Sequence, residues 1–416
     1  RARSDEAAEE AGPTAEMRFP VGSVRSLAHR SRFAAAAAAV ASLGTVVGGI
    51  TMLESSRTPL PLARVVSYNV LSSHLCGADH YIKCKPEDLD PPTRRKRVEA
   101  LLTEHMDKQA VICLQEVSVQ WVGELTPFFE RAGYTFVTGN YGNHFNGYMG
   151  VALAWPTSRF TCEEMSISKL ADTKEWPRGP KKEKPVENKW TVTKKALGGA
   201  WASIRTLWAK PEKRPFDVWH ETKRRHNFLA SAKLRCKKSG ATFAISTYHM
   251  PCLFGSDEKV QVMTNHAALA AQEALRFAGE GTPCVLAGDF NIKPGDAPYA
   301  LITKGTLPAT DPHMPPAAPH GDKWTPSLPK AMGSAYMMAN GIEPEFTNLA
   351  TNAWGGDTFC ETLDYIFLSS GDGWKVHGVR PLPSKEAVVA KGGCVSYPIA
   401  TEPSDHTMIW ADLSTE

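Results

Sequence analysis

The chain has 416 residues, 42% of them apolar and 22% charged, which suits one large soluble domain with appendages, or two domains, and excludes a wholly disordered chain. A formal charge of +3 is too small to point to a polyanion partner by itself, so a nucleic-acid reading rests on where the basic residues lie. Nine dispersed cysteines, with no CxxC pair and no zinc spacing, argue against a disulfide framework or a zinc module and read as reduced thiols.

Residues 1 to 16 are rich in Ala and Glu and read as a disordered tail. From Met17 to Leu53 there is no acidic residue, while Arg18, Arg25, Arg30 and Arg32 alternate with serines before the uncharged run from Phe33. Such a stretch reads as an organelle-targeting segment, the mitochondrion first. A membrane anchor over 33–53 and a bland extension in a cytoplasmic protein stay open beside it. Residues 1–60 are therefore set apart from a catalytic domain expected over 61–416.

From Arg64 onward short β-rich runs alternate with helical stretches. The runs are Arg64 to Leu71, Ala110 to Val117, Tyr148 to Trp155, Phe228 to Leu234, Thr242 to Tyr248, Pro283 to Leu286, Leu363 to Leu368 and Met408 to Leu413, with a polar helix near Arg94 to Met106. The segment from about 169 to 225 breaks the rhythm. It holds 16 Lys or Arg against 7 Asp or Glu, and its tryptophans are Trp176, Trp190, Trp201, Trp208 and Trp219. Cations interleaved with flat rings suit a single-stranded nucleic acid, although a solvated insertion with tryptophans folded back on the core has the same composition. Gly139 to Gly150 lacks the Lys-Ser/Thr of a P-loop and reads as a mobile turn, and His313 to His320 as an irregular surface loop.

Chemistry-bearing residues gather where apolar runs end: Asn69, Glu116, His249, Asp289 with Asn291, Asp364, and Asp405 with His406. Phosphodiester hydrolysis needs hard oxygen ligands for a divalent cation, a group to align water and donors for the developing phosphoryl charge, and this set contains all three. Each short motif alone arises readily by chance. Their order is the informative part.

That order resembles the endonuclease/exonuclease/phosphatase superfamily, and within it the deadenylase branch that includes nocturnin and the Angel proteins. The resemblance is carried by SYNVL at 67–71, Tyr81-x-x-Cys84-x-Pro86 leading to Arg94 and Arg95, LQEV at 114–117, GDFN at 288–291, TLDYIF at 362–367 and PSDH at 403–406. It implies an α/β, DNase I-like fold, a four-layer sandwich of two face-to-face, mostly antiparallel sheets flanked by helices. It further implies Mg²⁺, with Mn²⁺ able to substitute, held by Glu116, Asn69 and Asp405. Asp289 would align water, Asn291 and His249 would contact phosphate, and His406, oriented by Asp364, would stabilise the transition state. Arg224, Arg225 and Asn227 are expected to bind substrate. Three departures from the branch, Tyr248 with Met250, Ile292 and Glu361, bear on specificity.

The function expected is a Mg²⁺-dependent 3′-5′ exoribonuclease acting on single-stranded RNA. The alternatives are a phosphatase or phosphodiesterase for a small or lipid phosphoester (a phosphoinositide, an oligoadenylate, sphingomyelin) and a non-catalytic RNA-binding subunit with the same fold.

Overall fold

The computed structural model describes residues 61–177, 215–351, 358–390 and 396–415. The extension at 1–60, the inner part of the basic insertion with Trp190, Trp201 and Trp208, and Cys394 lie outside the described residues. Among the described residues no helix is long and apolar enough to cross a membrane.

Along the chain the strands are β1 (Ala63–Asn69), β2 (Val111–Val117), β3 (Tyr134–Asn140), β4 (Gly150–Pro156), β5 (Phe160–Lys169), β6 (Phe228–Cys236) and β7 (Thr242–His249). They continue as β8 (Cys284–Asp289), β9 (Met332–Ser334), β10 (Asn348–Thr351), β11 (Thr358–Glu361), β12 (Asp364–Ser369), β13 (Trp374–Val379) and β14 (Ile409–Thr415). One six-stranded sheet has the order β13-β14-β1-β2-β4-β3 and the other β5-β6-β7-β8-β12-β9, with β10 and β11 as a separate ribbon. All neighbours pair antiparallel except β1 with β2 and β7 with β8, the central pair of each sheet.

Alternation along these strands builds the layers. In β1, Ala63 and Val65 point to the other sheet, where they meet Ile245, Val285 and Ile366. Val66 and Tyr68 point outward, under helices Pro91–Met106 and Val119–Arg131. In β8, Val285 and Ala287 face inward, while Cys284 and Leu286 pack under helices Asp257–Ala278 and Ala297–Lys304. Helix, sheet, sheet and helix therefore follow one another with apolar side chains between each layer, as the family resemblance implied.

The strands that sequence patterning missed are β3, β5, β9 and β13, all at sheet edges, together with the ribbon. In β5 only Phe160 is buried, so an edge strand with a wet face writes almost no hydrophobic pattern. Ile292 is buried in the outer core, and Met250 joins it there beside Tyr248, whose hydroxyl bonds His266 Nδ1 at 2.8 Å. Those departures from the branch pattern are packing.

Candidate active site

The two central parallel pairs end at the same edge of the sandwich, because β1 packs against β8 and β2 against β7. Counting by twos from the inward residues Val65, Ile245 and Val285 reaches Asn69, His249 and Asp289, so these three project into the gap between the sheets. Asn69 is fully buried, and its Nδ2 donates to Glu116 Oε1 at 3.0 Å and to Asp289 Oδ2 at 2.9 Å, while its Oδ1 accepts from Leu71 N at 3.0 Å. One amide thus fixes two carboxylates, one from each sheet.

Glu116 is out of phase, since its neighbour Gln115 takes the inward position and bonds Ser67 and Thr247. The chain corrects this with an irregularity between Leu114 and Val117 and a left-handed φ of 60° at Glu116. Glu116 Oε2 then accepts from Ser72 N at 3.1 Å. Asp289 follows Gly288, where a Cβ would lie 1.9 Å from Tyr248 O, so only glycine lets β7 and β8 approach there. Asp289 Oδ1 accepts from Asn291 N at 2.9 Å, and Asn291, itself at φ 51°, gives Nδ2 to Met250 O at 3.0 Å.

Asp364 stands opposite Asp289 in the β8–β12 register. His406 Nδ1 lies 2.7 Å from Asp364 Oδ2, which also accepts from Thr347 Oγ1 at 2.6 Å, and His406 Nε2 lies 3.6 Å from Asp289 Oδ2. Burial works against the imidazolium, but the carboxylates of Asp364, Asp289 and Asp405 outweigh it and hold the His406 pKa well above the ordinary histidine range. Burial pushes the Asp364 carboxyl up to about 6 against the pull of that cation. At neutral pH the pair is therefore ionised.

Sequence reasoning assigned no role to Tyr141 or Tyr81. Tyr141 OH lies 2.8 Å from His249 Nδ1, and burial raises its pKa well above the usual range, so it stays a phenol. That contact fixes the orientation of the His249 ring in the cleft. Nε2 lies 3.5 Å from Asp289 Oδ2 and 3.9 Å from Glu116 Oε1. Tyr81 OH donates to Asp405 Oδ2 at 2.9 Å. The stretch read as a mobile turn is instead a tightly hydrogen-bonded loop between β3 and β4 that carries Tyr141. The signal was in its glycines: a Cβ at Gly142 would meet Asn146 Oδ1 at 2.2 Å, a mark of close packing rather than slack.

These groups open into a cleft of about 1300 Å³ that Glu116, His249, Asp289, Asn291, Asp405 and His406 share with Arg224, Arg225 and Asn227. Glu221 pairs with Arg224 at 2.9 Å and with Arg225 at 2.8 Å, and Asn227 Nδ2 donates to His249 O at 2.8 Å. Every predicted site residue is thus in the cleft except Asn69 and Asp364, which lie behind it and hold residues that are. Glu361 is not among the residues lining the cleft. Two of the tryptophans follow the alternative reading and fold back on the core. Trp176 and Trp219 meet edge to face at 6.3 Å, Trp219 meets Trp324 at 5.8 Å, and Lys174 caps Trp176 and Trp324 while pairing with Asp322. They fasten both ends of the basic insertion to the core.

Glu116 and Asp289, with His249, bring potential ligand atoms within 4.8 Å of one another. Among the described residues no Lys or Arg forms an ion pair with Glu116, Asp289 or Asp405. Paired carboxylates fixed by amides and without a Lys or Arg partner suit a hard divalent cation. Asp405 faces the same cleft.

Comparison with known proteins agrees with this geometry. A family model described as the Endonuclease/Exonuclease/phosphatase family matches residues 66–406. Nocturnin of Xenopus laevis is 24% identical over 87% of this chain and 74% of its own length. Carbon catabolite repressor protein 4 homolog 4 of Arabidopsis thaliana is 34% identical, but over only 32% of this chain and 28% of its own length. Homolog 2 is 26% identical, and the chain spans half of it. Among solved structures, ANGEL2, a 2′,3′-cyclic phosphatase, aligns with a TM-score of 0.59 at 18% identity, covering 84% of this chain and 95% of that one. The human nocturnin catalytic domain aligns at 0.51 and 20%, covering 86% and 94%.

Proposed function

The chain belongs to the Endonuclease/Exonuclease/phosphatase family, and on that basis we propose that it is a Mg²⁺-dependent 3′-5′ exoribonuclease acting on single-stranded RNA. The observation that carries this reading is the cleft. At about 1300 Å³ it exceeds the ~300–1000 Å³ of ordinary small-ligand sites, and Arg224 and Arg225 line it beside the chemical centre. A polyanion longer than one phosphoester fits such a groove. On the acid-free, arginine-bearing stretch from Met17 to Leu53, the proposal includes an organelle, the mitochondrion first, as the place of action.

Glu116 and Asp289 would hold the Mg²⁺, with Asp405 beside them. The ion, when bound, polarises the phosphoryl oxygens and offsets their charge. The remaining work falls to the chain. Asp289, held by Asn69 and Asn291, is placed to align the attacking water and take its proton. The His406 cation, oriented by Asp364, faces the negative charge that develops on the phosphoryl group. His249 presents a fixed Nε2 to the same space, and the arginines grip the strand's phosphates.

The test is degradation of 5′-labelled single-stranded RNAs, one ending in poly(A) and one of mixed sequence, with Mg²⁺ and with EDTA. The expected result is a ladder shortening from the 3′ end in Mg²⁺ alone. If both RNAs stay whole while a small phosphoester, such as a 2′,3′-cyclic nucleotide or a phosphoinositide headgroup, is hydrolysed, the substrate assignment is wrong and the chemistry stands.

A further inference from the structure

The loop between β3 and β4 does more than hold His249, and we infer that Phe145 at its tip is a stacking platform for a base of single-stranded RNA, outside the chemical centre. The inference rests on the RNA reading above. Phe145 is 79% exposed and makes no ring contact among the described residues. A phenyl ring held in water by a slack loop would mean little, but this loop is built. Asn143 Oδ1 accepts from Phe145 N at 2.9 Å, and Asn146 Oδ1 accepts from Asn143 N at 2.8 Å. Ser72 Oγ donates to Asn146 O at 2.8 Å, and Val119 N donates to Gly147 O at 3.0 Å. Gly147 sits at φ 64° against the His74 ring, where a Cβ would lie 2.2 Å from Nδ1. The tip is pinned from inside and from both flanks, so stacking on Phe145 would cost little further ordering.

Its position fits a strand. Asn143 and Asn146, on either side of Phe145, line the catalytic cleft. The loop's first residue, Tyr141, is the neighbour of the arginine-bearing segment, its ring centroid 6.2 Å from that of Phe228. A strand whose phosphates follow Arg224 and Arg225 crosses a cleft that Asn143 and Asn146 also line, and an exposed flat ring on that loop takes a base whatever its identity. A lipid surface is the rival occupant, since Tyr148 and Val119 nearby are each 51% exposed. The loop from Tyr141 to Met149 has no Lys or Arg, however, and the cations lie within the cleft instead of around the rings. That distribution favours the strand.

The test compares Phe145→Ala and Phe145→Trp with wild type on a long single-stranded RNA and on a dinucleotide too short to reach the loop. Phe145→Ala is expected to raise KM for the long RNA about fivefold or more, with kcat and the dinucleotide kinetics unchanged, and Phe145→Trp to retain the wild-type KM. An unchanged KM in Phe145→Ala, with wild type cutting RNA normally, overturns this inference alone. A wild type that leaves RNA whole removes the RNA reading and this inference with it. Lost binding to phosphatidylserine vesicles with RNA kinetics unaltered assigns the ring to a lipid surface and also overturns it.

Discussion

Asp289→Asn is expected to lower kcat/KM for phosphoester hydrolysis by about 10³- to 10⁴-fold, the range for loss of a positioned general base together with its charge. The size follows from how much converges on one side chain. Asp289 accepts from Asn69 and from Asn291 N, and both His249 and His406 present ring nitrogens to it within 3.6 Å. An amide at that position keeps the shape but offers a donor where Asn69 already donates. Asp289→Ala is the companion variant, because it removes that donor clash. Circular dichroism and thermal unfolding beside the kinetics separate a chemical defect from a folding defect. If either folded variant keeps more than a tenth of wild-type kcat/KM, Asp289 is not part of the chemistry.

Asp364→Asn is expected to lower kcat by roughly 10²- to 10⁴-fold, by analogy with other carboxylates that orient a catalytic histidine, and to move the pH profile in a defined direction. Asp364, Asp289 and Asp405 hold the His406 pKa well above its ordinary value. An activity needing the cation therefore falls only as pH rises through that raised pKa. Removing the nearest carboxylate lowers it, so the alkaline limb of the profile should move to lower pH. Stability follows the same sign. The raised pKa contributes stability that is complete below the unfolded value of about 6.5 and is lost as pH rises through the folded one. A rate loss with the alkaline limb unmoved would mean that Asp364 supports the fold around Thr347 without tuning His406.

Much of this site was legible because strand chemistry is periodic. Asn69, His249, Asp289 and Asp364 end or begin apolar runs and fall in phase with inward-facing residues, so a reading by twos brings them to one edge. Glu116 was found by its motif, although its phase points it away. Only the left-handed φ and the break in the β2–β4 register return it to the cleft, and neither is written in a propensity. Tyr81, quoted in its motif, and Tyr141 were given no role because they come from loops and act on other side chains across long stretches of sequence. Hydrogen bonds such as Tyr141 to His249 depend on the assembled sandwich. The edge strands β3, β5 and β13 were missed for the opposite reason, too little burial to leave a pattern, and β9 because it is three residues long. The tryptophans of the insertion show the limit of composition: Trp176 and Trp219 look like base platforms in sequence, and in the fold they clasp Trp324.

The central claim is that the carboxylates fixed by Asn69 hold the divalent cation on which hydrolysis depends. The most direct measurement is phosphoester hydrolysis by wild type and Glu116→Gln across a Mg²⁺ titration, with calorimetric Mg²⁺ binding on the same samples. The expected results are no turnover in EDTA, recovery with Mg²⁺, and a variant that needs at least about tenfold more Mg²⁺ and binds it correspondingly more weakly. Equal Mg²⁺ affinity and equal Mg²⁺ dependence in the two proteins would contradict it.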